Sequence, residues 1–160
     1  MIFSIDDFTI EESCFDDESE QKRRLELIST FPDDLKETMT KLVNQRGKGL
    51  IRYTIAQREN EVGEITFSLG NEKTPEIGIE LKENYRGKGN GYCLLLDLMK
   101  RYSRTHSVEY FIYAARNDNI ASQALAKKLG GIFESEYKPL EEFGLAFLTF
   151  HIPLRAIEEK

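Results

Sequence analysis

The sequence has little cysteine: two residues in 160, Cys14 and Cys93, 79 positions apart and at no metal-ligand spacing. One disulfide is the most they can form, and two free thiols in a reducing compartment are the expectation. No apolar run approaches the ~20 residues needed to span a bilayer. Residues 1–20 hold no Lys or Arg and no apolar stretch of signal-peptide length, so a cytoplasmic protein with no membrane partner is expected. Linkers rich in Pro, Gly and Ser are absent, as are repeats of 20–50 residues. The chain is therefore read as one domain over 1–160, long enough to bury roughly two-thirds of its unfolded surface.

An excess of basic charge is also missing. The chain carries 28 acids and 22 bases, a net charge of −6. Eight of the acids (Asp6, Asp7, Glu11, Glu12, Asp16, Asp17, Glu18, Glu20) fall in the first 20 residues, which contain no base. The remainder is nearly balanced, 20 acids against 22 bases, so a nucleic-acid partner is not expected. The acidic end is either a solvated surface or an attractor for a cationic partner.

Periodicity places the elements. Residues 3–12 read as a first strand, and 20–29 and 33–44 as helices, the second with Leu35, Met39 and Leu42 at helical spacing after Pro32. Arg46-Gly47-Lys48-Gly49 reads as a helix stop, with Gly47 or Gly49 at positive φ. Residues 50–57 and 62–69 are β-rich runs around the polar gap Arg58-Glu59-Asn60-Glu61. Residues 76–81 alternate, with Ile77, Ile79 and Leu81 on one face. Residues 91–104 form a helix whose apolar stripe is Tyr92, Leu95, Leu96, Met99 and Tyr102. A strand over 108–114, a helix over 119–129 stopped by Gly130 or Gly131, and strands over 132–137 and 145–152 follow. This order argues for an α/β (α+β) domain, a mixed sheet with helices on its faces.

The informative segment joins the strand 76–81 to the helix 91–104. Arg86-Gly87-Lys88-Gly89-Asn90-Gly91 puts three glycines and two cations at a helix start. Glycines let backbone N–H groups turn inward, and the helix N-terminus adds unpaired donors and a positive dipole end. A diphosphate suits such a place. A P-loop is excluded because no Gly-x4-Gly-Lys-Ser/Thr string occurs, and a dinucleotide fingerprint fails because Tyr92 stands where its third Gly belongs. A ligand-free turn is the plain alternative.

Arg86-x-x-Gly89-x-Gly91 after a strand resembles the acyl-CoA loop of the GNAT family of N-acetyltransferases. Asn119-Ile120-Ala121-Ser122, followed by a helix ending Lys128-Leu129-Gly130, is similar to the family's second signature, with the usual Phe displaced to Phe133. Phe147-x-x-Phe150-x-Ile152-x-Leu154 looks like its last strand, so the likeness covers about residues 48–154. The resemblance implies a mixed, mostly antiparallel sheet of about six or seven strands with about four helices and a cleft between two splayed parallel strands. It implies acetyl-CoA as co-substrate, no metal, and direct transfer to a primary amine on a small molecule or a peptide or protein N-terminus. The backbone of Ile79, Glu80 and Leu81 would pair with pantetheine and supply an oxyanion donor. The amides of Arg86, Gly87, Lys88, Gly89, Asn90, Gly91 and Tyr92 would hold the diphosphate. Asn119 would bond the pantetheine chain, or serve as a helix cap, or both.

Two positions depart from the family's common form. Its general-acid Tyr, seven residues after the Asn, is Ala126 here, and its general-base Glu, five residues before, is Ala114. The branch resembling ribosomal-protein N-acetyltransferases often has the Ser instead, which makes Ser122 the candidate acid near the sulfur. Glu80 is the candidate base, with Glu76, Glu64, Glu134 or a water chain as alternatives. Cys93 is a poor covalent nucleophile in the helix after the loop. His106 and His151 lack metal partners and read as structural. Tyr53, Tyr85, Tyr113 and Tyr137 read as packing residues, Tyr137 with an option on the acceptor side. The acidic N-terminus motivates a cationic acceptor, and a homodimer through a sheet edge or helix is left open. A non-catalytic acyl-CoA-binding module, motivated by Ala114 and Ala126, and a hydrolase or other phosphate-ligand enzyme are the competing readings.

Overall fold

The computed structural model describes residues 1–15, 17–45, 49–140 and 144–160. Its eight strands are β1 (Ile2–Ile5), β2 (Phe8–Phe15), β3 (Leu50–Gln57), β4 (Asn60–Ser68), β5 (Glu76–Leu81), β6 (Tyr110–Arg116), β7 (Ile132–Leu140) and β8 (Leu145–Pro153). They form one sheet in the order β1-β2-β3-β4-β5-β6-β8-β7. Five helices accompany it: α1 (Asp17–Ile28), α2 (Asp33–Gln45), α3 (Asn90–Ser103), α4 (Ile120–Lys128) and α5 (Leu154–Glu158). The expected mixed α/β architecture is present, with one strand more than the upper expectation.

The extra strand comes from the first segment. Residues 3–12, read as one strand, are a hairpin turned at Asp6 and Asp7, with Ile5 opposite Phe8. Asp6 sits at φ 52°, a conformation that Asp tolerates better than most side chains. The expected polar gap after β3 is likewise a tight turn, with Arg58 at φ 58°. Gly49 takes the positive φ expected of one glycine in its turn, at 95°, while Arg46, Gly47 and Lys48 lie outside the described residues.

Facing residues on neighbouring strands put Tyr53, Phe67, Phe111 and Phe150 on one side of the sheet, all buried. Helix α3 covers them with Leu94, Leu95, Leu98, Met99 and Tyr102. The stripe is shifted from its expected position, since Tyr92 and Leu96 are only partly buried. Helix α4 ends as expected at glycine: the amides of Gly130 and Gly131 bond the carbonyls of Lys127 and Ala126 in a Schellman arrangement, with Gly130 at φ 93°. Gly130 also lets α5, absent from the sequence reading, approach; a β-carbon there would lie 2.6 Å from that of Ala156.

All pairings are antiparallel except β5 with β6. That parallel pair holds only at Glu76–Ile112 and Ile77–Tyr113. Beyond it each strand stays with its antiparallel neighbour, β5 with β4 and β6 with β8. The sheet therefore opens into a wedge between residues 78–81 and 114–116, with α3 and α4 starting on either side of it.

Candidate active site

Backbone direction shows what the wedge offers. The Lys82 amide donates to the Val62 carbonyl at 2.8 Å, so even-numbered residues of β5 turn their backbone groups to β4. Ile79 and Leu81 therefore direct theirs into the wedge. Their side chains line a cleft of about 360 Å³ together with Tyr85, Arg86, Gly87, Gly89, Gly91, Tyr92, Tyr113, Asn119, Ser122, Leu125 and Lys128, among others. The resemblance placed Ile79, Leu81, the glycine loop, Asn119 and Ser122 around one ligand, and the fold brings them together.

The glycine loop is shaped for an anion. Gly87 and Gly89 stand at φ 71° and 82°, with nothing within 4 Å of where a β-carbon would be, so glycine serves the backbone turn here and leaves open space above it. Gly89 caps α3, and the first helical bond runs from the Cys93 amide to the Gly89 carbonyl at 3.1 Å. Among the described residues, no backbone or side-chain acceptor takes the amides of residues 87–92. Gly91 has a different reason to be glycine: a β-carbon would meet Ile79 Cδ1 at 3.3 Å and Leu125 Cδ2 at 3.4 Å, where α3 crosses β5 and α4. The Asn90 side-chain amide donates to the Tyr85 carbonyl at 3.1 Å and closes the loop. Arg86 Nε donates to the Leu81 carbonyl at 2.7 Å, which ties this cation to the end of β5. Lys88 lies exposed in the same loop. Lys128, which sequence reasoning missed, sits 4.3 Å over the Tyr92 ring. Its signal was the spacing Ala121, Ala124, Leu125, Lys128, one face of α4.

The start of α4 forms the other wall. Asn119 Oδ1 accepts from the Ser122 amide at 3.0 Å, so the expected cap is present and the Asn119 side-chain N–H groups keep no partner among the described residues. Ser122 Oγ lies 2.9 Å from the Tyr113 hydroxyl. Tyr113, read as packing, is 2 % exposed and does pack, yet its polar end reaches the cleft. Burial raises its hydroxyl pKa, a shift that a bond donated by Ser122 would oppose and a bond donated by Tyr113 would not. Ala126, one turn beyond Ser122, is buried, and Ala114 faces the other side of the sheet opposite Thr149.

Glu80 points to that other side, directly across from Glu64. Glu64 is engaged by Arg52 Nε at 3.3 Å, and Glu61 by Lys82 at 3.1 Å. The Glu80 side chain is exposed and has no ion pair or hydrogen bond among the described residues. With Glu61, Glu64, Lys82 and Arg86 it lines a polar recess beside the mouth of the wedge. The other candidates lie elsewhere. Glu76 starts β5 at the closed end of the pair. Glu134 is on edge strand β7, 3.7 Å from His151 Nδ1. His151 stacks on Tyr110, and His106 on Tyr102 at the end of α3. Cys93 is exposed. The side chain of Tyr137 lies outside the described residues. The acidic segment is split between the two ends of the sheet. Ile10, next to the Asp6-Asp7 turn, is level with Gly63 and Leu81 through Ile55, while β2 ends at Phe15 opposite Leu50, which pairs with Ser68 and thus lies at the level of Glu76. The acids that follow β2, from Asp17 onward, therefore begin at the closed end, about 17 Å along the strand from Leu81; Asp16 lies outside the described residues.

An acyl-CoA fits this arrangement: acceptor-free amides and three cations for a diphosphate, a strand edge that no other strand pairs beyond Ile77, for pantetheine, and apolar walls between. A family model described as an acetyltransferase (GNAT) domain matches residues 15–132. A ribosomal-protein-serine acetyltransferase of Escherichia coli is 27% identical over 121 residues, covering 74% of this chain and 67% of that protein. The fold is similar to an acetyl transferase of Salmonella typhimurium that modifies the N-terminal serine of a 50S ribosomal subunit protein, with TM-score 0.65, 22% identity, and coverage of 96% of this chain and 99% of that one. It is also similar to a ribosomal alpha-N-protein acetyltransferase in complex with coenzyme A, with TM-score 0.66, 22% identity, and coverage of 98% and 99%. The match over most of the chain, on a fold that builds the cleft, means that this protein belongs to the GNAT family and is an acetyl-CoA-dependent acetyltransferase.

Proposed function

We propose that the acceptor is a primary α-amine at the N-terminus of a peptide or protein, acetylated by direct attack in a ternary complex. The observation that carries this reading is the asymmetry of the wedge. Its helix side is apolar with a cationic rim, fitting the acyl donor, while its opposite side carries exposed, unpartnered Glu80. Cationic amines are drawn to that side by Glu80, since the neighbouring Glu64 and Glu61 are paired with Arg52 and Lys82.

Proton chemistry separates the possible amines. An α-amine has a pKa of about 7.7–8.0, so roughly a third is already neutral at pH 7.5. A lysine amine, at about 10.4, is roughly 0.1% neutral. A single exposed carboxylate working through water is a weak base, adequate for the first and poor for the second. The acceptor of the Escherichia coli relative, a ribosomal-protein serine, accords with this choice.

In this reading the amides of Ile79 and Leu81 orient the thioester and receive the developing oxyanion. The backbone of residues 86–92 (Arg86, Gly87, Lys88, Gly89, Asn90, Gly91 and Tyr92) holds the diphosphate, with Arg86, Lys88 and Lys128 adding charge. The free N–H groups of Asn119 bond pantetheine. Ser122 faces the leaving sulfur, and Glu80 takes the amine proton through water. The test is a set of peptides, each with a free N-terminus and an internal lysine, incubated with acetyl-CoA and mapped by mass spectrometry. Acetyl on the α-amine is expected, with a roughly 100-fold lower kcat for Glu80→Gln. Acetyl on the lysine alone would overturn the acceptor assignment.

A further inference from the structure

We infer that Tyr113 is a positioning residue for acetyl transfer: its buried hydroxyl donates to Ser122 Oγ and thereby holds the Ser122 O–H as a donor aimed at the leaving sulfur. This rests on the assignment of Ser122 to that sulfur.

Burial, and not capacity, favours one direction. Serine and tyrosine hydroxyls each have one proton to give and lone pairs to accept, so either oxygen could donate across this contact. The two oxygens are 2.9 Å apart, and that bond is the sole one of the Tyr113 hydroxyl among the described residues. Tyr113 is 2 % exposed, so its O–H requires this partner, whereas Ser122 is half-buried at the edge of the cleft. With Tyr113 as donor, the Ser122 proton is released into the cleft. With Tyr113 absent, Ser122 is free to turn its proton elsewhere and the cleft loses a fixed donor. The Ser122 backbone is already immobilised, because its amide is bound by Asn119 Oδ1 at 3.0 Å. The one remaining freedom is the side-chain rotor, and Tyr113 fixes it.

Tyr113 does not itself ionise in this scheme. Its burial favours the protonated phenol, which suits a permanent donor and makes a phenolate costly. The balance is then simple. The C–N bond forms as the C–S bond breaks, and the electron pair passes to sulfur. The proton lost by nitrogen goes through water to Glu80. The thiolate is stabilised by the Ser122 O–H and later takes its proton from solvent. A preorganised donor of this kind acts through orientation and not through net transfer.

The test uses Tyr113→Phe, which keeps the ring, Ser122→Ala, and the double variant. Two readouts are needed: steady-state kinetics, and the pKa of the thiol of bound coenzyme A followed by ultraviolet thiolate absorbance. Tyr113→Phe is expected to lower kcat about 10-fold with the KM for acetyl-CoA unchanged, and to raise the bound thiol pKa. Ser122→Ala should lower kcat at least as much, and the double variant should be no worse than Ser122→Ala alone, since the two groups act as one unit. Wild-type kcat and thiol pKa in Tyr113→Phe, with Ser122→Ala impaired, would overturn the role of Tyr113 and leave that of Ser122 standing. Effects that multiply in the double variant would overturn it as well, by showing independent action. An unimpaired Ser122→Ala would remove the assignment of Ser122 itself.

Discussion

Gly89 offers a way to separate charge from shape in the glycine loop proposed to hold the diphosphate. It lies at φ 82° with no atom within 4 Å of the position a β-carbon would take, so a side chain there meets open space and backbone strain but no clash. Gly89→Glu and Gly89→Lys share that strain, about 1–2 kcal/mol, and a fall of about 3 °C in melting temperature per kcal/mol. They differ in the charge set beside the acceptor-free amides. Two unit charges about 5 Å apart at an effective dielectric near 40 interact by roughly 1.7 kcal/mol before salt screening. Against a diphosphate of about two charges, screening and side-chain mobility leave about 1.5–2 kcal/mol against Glu and a similar gain for Lys. The dissociation constants for coenzyme A should therefore differ by roughly 100-fold or more. Calorimetry at low and moderate salt reads this directly, and the gap should shrink as salt rises. Equal affinities for the two variants, at equal stability, would mean that no phosphate lies over Gly89.

Two further outcomes follow from the packing. Gly63→Ala would set a β-carbon 2.1 Å from the Glu80 carbonyl oxygen and 2.9 Å from Leu81 Cα, both backbone atoms that cannot rotate away. We expect a loss of about 3 kcal/mol or more in denaturant unfolding, with weaker coenzyme A binding as the β5 edge shifts; wild-type stability would refute the β4–β5 register. Stability should also fall in alkali. Burial pushes the Tyr102 hydroxyl, which donates to the Glu72 carbonyl at 3.0 Å, up to about 12, and raises Tyr113 too. Below the unfolded value near 10 both states keep these protons. Above it the unfolded chain ionises first, so stability declines as pH rises from about 10 through 12, and Tyr102→Phe should flatten that slope in a denaturant titration against pH.

The loop was legible because its chemistry is local. Residues 86–91 carry glycines, cations and a helix start in consecutive positions, and a backbone anion site needs nothing from elsewhere in the chain. The order of strands and helices was legible for the same reason, since each period is set by its own segment. Where the period is ambiguous the reading slipped. Leu94-Leu95-Leu96 has no phase of its own, so the stripe through Tyr92 and Leu96 was placed about one position from the buried face through Leu94 and Leu98. The alternation Phe3, Ile5 and Phe8, Ile10 breaks by one position at Asp6-Asp7, where the left-handed Asp6 and the pairing of Ile5 with Phe8 show that the chain turns back. Helix α5 is too short for periodicity to detect; it exists because Ile157 is buried and Gly130 leaves space for Ala156.

Tyr113 was out of reach for a deeper reason. A motif read along one element registers the groups that this element carries, and along α4 the position one turn after Ser122 is Ala126. Residues four apart lie on the same helical face, so Ala126 sits beneath Ser122, and it is wholly buried. A large side chain at 126 would compete for core volume on the face that α4 presents to β6, where the Tyr113 ring is also buried. With alanine there, the hydroxyl that reaches Ser122 comes from the neighbouring strand, 2.9 Å away. The register Ile77–Tyr113, the last pairing before the wedge opens, is what sets that hydroxyl at the apex of the cleft. The alanine at 126 is thus compatible with a polar apex, because the parallel pair whose ending creates the cleft supplies a hydroxyl there.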